Sequence, residues 1–235
     1  MDSQSLQRAF TELSAAAVAD ACLREGLPLR VAPAGIRPLL PTYRLAGRVV
    51  PVKHYGSVDI FLEAVEGAAP GDVLLIDNGG RTDEGCIGDL TTLEVQAAGL
   101  GGIVVWGAHR DTAELVEMGY PFFSYHACPA GPQRVEPREA DALTRARCGP
   151  LSVGRDDVAF ADADGLLFTP LEGVEQVLEA AAAIRETERR QAEAVKAGRG
   201  LREQLRFAEY LETRAKQPSY SFREHLRAVG GAIEE

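Results

Sequence analysis

Two carboxylates and a guanidinium are the residues of this chain best placed to do chemistry. Gly88-Asp89-Leu90 and, further on, Arg110-Asp111-Thr112-Ala113-Glu114 each open a predicted helix just after a strand or a glycine-rich loop. If those junctions lie side by side, Asp89, Arg110 and Asp111 converge. Asp111 supplies a hard oxygen ligand, and magnesium is commonly held by one or two carboxylates, with water and substrate in its other positions. The planar fork of Arg110 suits a carboxylate. The backbone N–H groups of Leu90 and Thr91, at a helix N-terminus, favour an anion. This set fits a divalent cation and a small 2-oxo acid, the metal polarising the keto oxygen and stabilising a developing enolate.

A plainer reading of the same residues is helix capping. Asp111-Thr112-Ala113-Glu114 has capping-box spacing, with Asp in place of Ser or Thr, and Asp89 is a good N-cap. The functional reading gains because all three side chains fall at strand-to-helix junctions on one predicted edge, where ligands collect in open α/β sheets.

The elements that must position them follow from hydrophobic pattern. Val73-Leu74-Leu75-Ile76 and Ile103-Val104-Val105-Trp106 are short apolar runs that predict buried strands. Residues 45–52 and 121–125 predict two more, and helices are expected over 57–65, 89–98 and 111–118, with Gly99 and Gly119 as stops. Strands alternating with helices imply parallel pairing. A single helix is expected near residues 5–25, with Ser14 capping its later part. Short strands are expected around the tight turn Asp162-Ala163-Asp164-Gly165. Two helices, over 171–197 and 201–216, precede a tail that starts at Pro218.

Composition bounds the rest. The 235 residues suit one large domain or a domain with an appendage. A 46% hydrophobic content implies a sizeable core, and a net charge of −10 argues against a nucleic-acid-binding surface. Cys22, Cys86, Cys128 and Cys148 form no CxxC pair or zinc-ligand spacing and read as reduced thiols of a cytoplasmic protein. The N-terminus has neither the basic nor the apolar region of a signal peptide, and no apolar run is long enough for a membrane helix. Gly99-Leu100-Gly101-Gly102 precedes a strand, so it is no dinucleotide fingerprint. Asp162-Ala163-Asp164-Gly165 lacks the rest of a calcium loop. His109 reads as a hydrogen-bonded structural histidine.

Leu13-Ser14 to Asp20-Ala21, Leu45-Ala46-Gly47-Arg48-Val49-Val50, Gly71-Asp72 to Asp77, Gly88-Asp89-Leu90, Gly107-Ala108-His109-Arg110-Asp111 and Asp162-Ala163-Asp164-Gly165 carry a wider likeness. Through them the chain resembles the family that unites 4-hydroxy-4-methyl-2-oxoglutarate aldolases with the regulator of ribonuclease activity A. Arg110, Asp111 and Glu114 meet its Arg-Asp-x-x-Glu/Asp motif. The resemblance implies a layered α/β sandwich related to swivelling phosphohistidine domains, over residues 1–200. Residues 201–235 would form a helical tail packing on the core or on a neighbouring subunit, in a homotrimer or homohexamer.

It further implies a lyase: a class II-type, metal-dependent pyruvate aldolase that splits 4-hydroxy-2-oxo acids and often decarboxylates oxaloacetate. Asp111 would bind magnesium or manganese, Arg110 would bind the pyruvyl group and stabilise enolate charge, and Asp89 would orient a metal-bound water that shuttles a proton. The amides of Leu90 and Thr91, beside Gly88, would hold the pyruvyl carboxylate. Glu188 is the best match to a glutamate that reaches a neighbouring subunit's site. The rival reading is a non-catalytic, protein-binding regulator of a ribonuclease. That branch commonly lacks the acidic residue after the motif arginine, and Asp111 is present here.

Overall fold

The computed structural model describes residues 1–230; the end of the expected tail, 231–235, lies outside the described residues. The region read as one opening helix forms two, α1 (Ser3–Phe10) and α2 (Ala15–Arg24). Ser14 is the reason for the division. Its extended backbone and its side chain, which accepts from the Ala17 N–H, start a new helix rather than decorate an existing one. Short strands β1 (Arg30–Val31) and β2 (Arg37–Pro38) lead to β3 (Leu45–Lys53), α3 (Asp59–Glu66), β4 (Val73–Asp77), α4 (Asp89–Ala97) and β5 (Gly102–Trp106). Then come β6 (Ala108–His109), α5 (Thr112–Glu117), β7 (Phe122–Ser124) and β8 (His126–Ala127).

The strands β9 (Arg145–Cys148), β10 (Leu151–Gly154), β11 (Asp157–Asp162) and β12 (Gly165–Pro170) follow. The 23-residue α6 (Val174–Lys196) leads to the tail helices α7 (Leu201–Gln204), α8 (Phe207–Lys216) and α9 (Phe222–Val229). The single helix expected over 201–216 is broken at Arg206, which sits at φ 48°. α9 falls in the expected helical tail, for which no bounds were predicted beyond Pro218; Ser221 and Glu224 give it a reciprocal capping box.

The main sheet has the order β1-β12-β11-β3-β4-β5-β7-β2. Its centre, β3-β4-β5-β7, is parallel, as the alternation of strands and helices requires. β11 joins antiparallel to β3, and β12 joins antiparallel to β11 through a tight turn at Ala163-Asp164. Strand alternation divides the core. Val50, Val52, Leu74, Ile76, Ile103 and Val105 face α3, α4 and α5, while Ala46, Val158, Phe160 and Leu167 on the same face meet α1, α2 and α6. Val49, Val73, Leu75, Val104, Ala159 and Phe168 point to the other face, which the β9–β10 hairpin and the segment around Ile36 and Tyr43 cover. The result is a layered, curled α/β arrangement with a C-terminal helical extension.

The tail packs first on itself. Phe207, Tyr210, Tyr220, Phe222 and His225 make one aromatic cluster, and His225 Nε2 lies 2.7 Å from the Leu205 carbonyl. Gln204 ties it to α6 through the Gln191 carbonyl.

Candidate active site

The predicted junctions do meet. The chain leaving β4 returns as an extended stretch in which Gly85 bridges Ala108 and Cys86 N–H donates to the Ala108 carbonyl. Arg110 N–H donates to Ile87 O. The segment before α4 is thus zipped to the segment before α5, which brings Gly88-Asp89 against Arg110-Asp111.

The detail differs from both capping expectations. The N-cap of α4 is Gly88, and Asp89 is the first helical residue, its Oδ1 accepting from the Leu90 N–H at 2.7 Å. Asp111 is the N-cap of α5, but it lies in the left-handed region at φ 60°, ψ 43°, and its side chain makes no capping bond. The expected capping box is absent because the carboxylate turns away from its own helix. Oδ2 accepts from the Asp89 N–H at 3.3 Å and lies 3.3 Å from Arg110 Nε. Such a backbone costs a non-glycine residue roughly 1 kcal/mol, less for Asp than for most, and strain of this kind gathers at functional sites.

Gly88 makes the approach possible. A Cβ there would stand 2.0 Å from Asp111 Oδ2. The carboxylate therefore occupies the space a side chain would fill, at the positive end of α4. Arg110 is half exposed, and its Nη1 lies 3.1 Å from where a Cβ on Gly131 would be.

The neighbours are structural. His109 is buried, Nδ1 2.7 Å from Ser124 Oγ and Nε2 2.9 Å from Thr112 Oγ1, as a structural histidine should be. Burial, then the charge of His126, lowers its pKa, so it is neutral at pH 7. Burial pushes the Cys86 thiol far up, and lifts Cys148 to about 12. Neither is a nucleophile. Asp77, the last residue of β4, spends its carboxylate on the N–H groups of Gly79 and Arg147. Asp162 likewise accepts from Ala15 and Asp164, so the turn after β11 is no calcium site.

Glu188 is not brought to this junction within one chain. It lies on α6, its carboxyl pKa raised first by desolvation and then by Asp20 of α2.

Asp111 can hold a hard cation. Both of its contacts fall on Oδ2, and among the described residues Oδ1 accepts none. No three His, Cys, Asp or Glu residues gather into a closed metal cage among the described residues. That donor set suits a largely hydrated magnesium or manganese ion on one carboxylate, and does not suit structural zinc. Leu90, 77% exposed, leaves the start of α4 open to a ligand. The first N–H groups of a helix have no intrahelical partner.

Comparison with known proteins agrees with this architecture. A 4-hydroxy-4-methyl-2-oxoglutarate aldolase of Thermus thermophilus is 30% identical over 132 residues, covering 54% of this chain and 76% of that protein. Protein MJ0644 of Methanocaldococcus jannaschii is 25% identical over 201 residues, 84% of this chain and 94% of its own length. Among solved structures, Streptomyces coelicolor RraAS2, described as an unusual member of the RNase ES inhibitor RraA protein family, superposes with a TM-score of 0.67. It is 22% identical, with 80% of this chain and 97% of that one covered, and so speaks for the fold. The family model described as RraA-like, aldolase/RraA, matches residues 15–168, more than half of the 235-residue chain and all of the junction just described, and the chain belongs to that family.

Proposed function

We propose that the protein is a divalent-metal-dependent lyase that cleaves a 4-hydroxy-2-oxo acid, such as 4-hydroxy-4-methyl-2-oxoglutarate, to pyruvate and a second carbonyl product, and that it also decarboxylates oxaloacetate. The observation that carries this reading is Asp111: a strained carboxylate that declines to cap its own helix and sits over the Asp89 N–H beside Arg110. Aldolase names among relatives of similar sequence support it.

Asp111 would hold magnesium or manganese, which when bound supplies Lewis acidity to the keto oxygen. The chain's own groups do the rest. The N–H groups of the first turn of α4, at Leu90 and Thr91, take the substrate carboxylate. Arg110 neutralises the charge that develops as the C3–C4 bond breaks and its electron pair passes into the pyruvate enolate. The 4-hydroxyl loses its proton as it becomes a carbonyl, and the enolate is protonated at C3. Asp89 would move these protons by way of a water. Its Oδ1 now engages the Leu90 N–H; a carboxylate arriving at that amide would release it. In decarboxylation the same enolate forms as carbon dioxide leaves. Glu188 would enter only from a neighbouring subunit of a homotrimer or homohexamer.

The test is pyruvate release from 4-hydroxy-4-methyl-2-oxoglutarate and from oxaloacetate, with magnesium and with EDTA. Metal-dependent release is expected from both. No release from either by folded, metal-loaded protein would overturn the proposal and leave binding to a ribonuclease as the reading to test.

A further inference from the structure

A cavity of about 250 Å³ opens beyond the C-terminal ends of β3 and β4, lined by Lys53, His54, Asp77, Asn78, Arg81, Arg134 and Arg147 among others. None of Asp89, Arg110 and Asp111 lines it. It lies at the kind of place where α/β sheets bind ligands: on one side of β3 is its parallel partner β4, on the other its antiparallel partner β11.

Two buried side chains among those that line this cavity carry polar atoms without a partner. His54 and Asn78 are 4% and 1% exposed, and neither His54 Nε2 nor Asn78 Nδ2 has a partner among the described residues. Buried polar atoms rarely stay unpaired, and each costs roughly 1–3 kcal/mol if it does. Their chemical sense is fixed by a chain of partners. Arg134 Nη2 can only donate, and it donates to Asn78 Oδ1 at 2.9 Å. That oxygen also faces His54 Nδ1 at 2.8 Å, so Nδ1 carries the ring proton. Desolvation keeps His54 neutral, which leaves Nε2 as a bare acceptor and Asn78 Nδ2 as a donor.

The network is anchored so that it cannot collapse inward. Arg134 is held by Glu84, which is buried, and by Glu136. His54 stacks on Phe61 with ring centroids 5.1 Å apart. Arg81 pairs with Asp83 and lies 3.5 Å from Glu84, and Lys53 pairs with Glu139. Arg147 is different. Its guanidinium lies over the Trp106 ring, 5.0 Å from the centroid, and has no carboxylate partner among the described residues. Two carboxylates also line the cavity: Asp77 accepts from the N–H groups of Gly79 and Arg147, and Glu136 pairs with Arg134. What is left is one cation without a carboxylate partner, one amide donor and one acceptor that needs an O–H or N–H.

We propose that this cavity is a second ligand site, for a small oxyanion that also carries a hydroxyl, of the hydroxycarboxylate class. The carboxylate meets Arg147 and the Asn78 amide, and the hydroxyl donates to His54 Nε2. This does not rest on the lyase assignment.

The test uses the full chain in EDTA, so that no metal at Asp111 takes part. Titration calorimetry with malate, succinate and inorganic phosphate is combined with the nitrogen resonances of the His54 ring. Malate is expected to bind at least tenfold more tightly than succinate, which lacks the hydroxyl, and to shift the Nε2 resonance of His54. Arg147→Gln alters only a rim side chain and should weaken malate binding. Asp111→Asn should leave it intact. Equal affinity for malate and succinate, or binding of phosphate without malate, would overturn the chemical class. No binding at millimolar malate would mean that water alone fills the cavity. Binding lost in Asp111→Asn but kept in Arg147→Gln would place the anion at the start of α4 instead. The aldolase assay does not bear on any of these results.

Discussion

Asp111 concentrates the chemical argument at the level of single residues, and it separates fold from function in an experiment. Asn tolerates the left-handed region as Asp does, so Asp111→Asn should keep the melting temperature nearly unchanged while abolishing metal-dependent pyruvate release. Asp111→Ala should lose the activity and also roughly 1 kcal/mol of stability, the added cost of φ 60° for an alanine; denaturant unfolding of both variants checks the difference. Arg110→Lys retains the charge but not the fork. With Arg110 assigned to transition-state charge, kcat should fall by about 10²-fold with a smaller change in KM, by analogy with the loss of an oxyanion donor. An effect confined to KM would instead make Arg110 a plain binding group. The three side chains at this junction were legible from sequence because each follows a strand and opens a helix. Their conformation was not. Asp-x-x-Glu spacing describes a capping box equally well, and nothing local announces that Asp111 will turn to the left-handed region.

Among elements, the parallel centre was legible for a simple physical reason. Val73–Asp77 and Gly102–Trp106 are buried along their whole length, and such strands must be apolar on both faces. Gly99 and Gly119, at φ 82° and 63°, stop their helices where the pattern placed them. Helix boundaries inside polar sequence were harder. α1 and α2 share an amphipathic rhythm, and only the Ser14 cap divides them. α9 depends on a capping box in a segment with few apolar residues. The β3–β4 cavity had no local signal at all, because its lining comes from Lys53, Asn78, Arg134 and Arg147, far apart in the chain. The Arg134–Glu84 pair that braces it should matter to stability. Arg134→Ala strands a buried carboxylate and should cost about 3 kcal/mol in denaturant unfolding.

For the whole molecule, two buried neutral histidines set an acid limit. His54 and His109 have folded pKa values below the ordinary 6.5, in both cases chiefly through desolvation. The unfolded chain therefore binds protons that the folded one refuses as pH falls below about 6.5. Stability from this source is fully present above the unfolded value and is lost as pH falls toward the lower folded values. The melting temperature should be flat near pH 7–8 and decline below about 6.5, before exposed carboxylates titrate. A His109→Gln variant should show a shallower decline; an unchanged slope would mean that His109 contributes nothing to it.

The close approach of Asp111 to Gly88 also carries an implication for how the sequence can drift. Because the Oδ2 oxygen fills the place of a missing Cβ, the two positions are epistatic. Gly88→Ala should be severe while Asp111 keeps its carboxylate and much milder once Asp111 has been trimmed to glycine, when only the Arg110 Cγ contact at 3.1 Å remains. The order of change then matters: a lineage can abandon the acid first and the glycine afterwards, but hardly the reverse. A double-mutant cycle on unfolding free energy would reveal that asymmetry as a non-additive term.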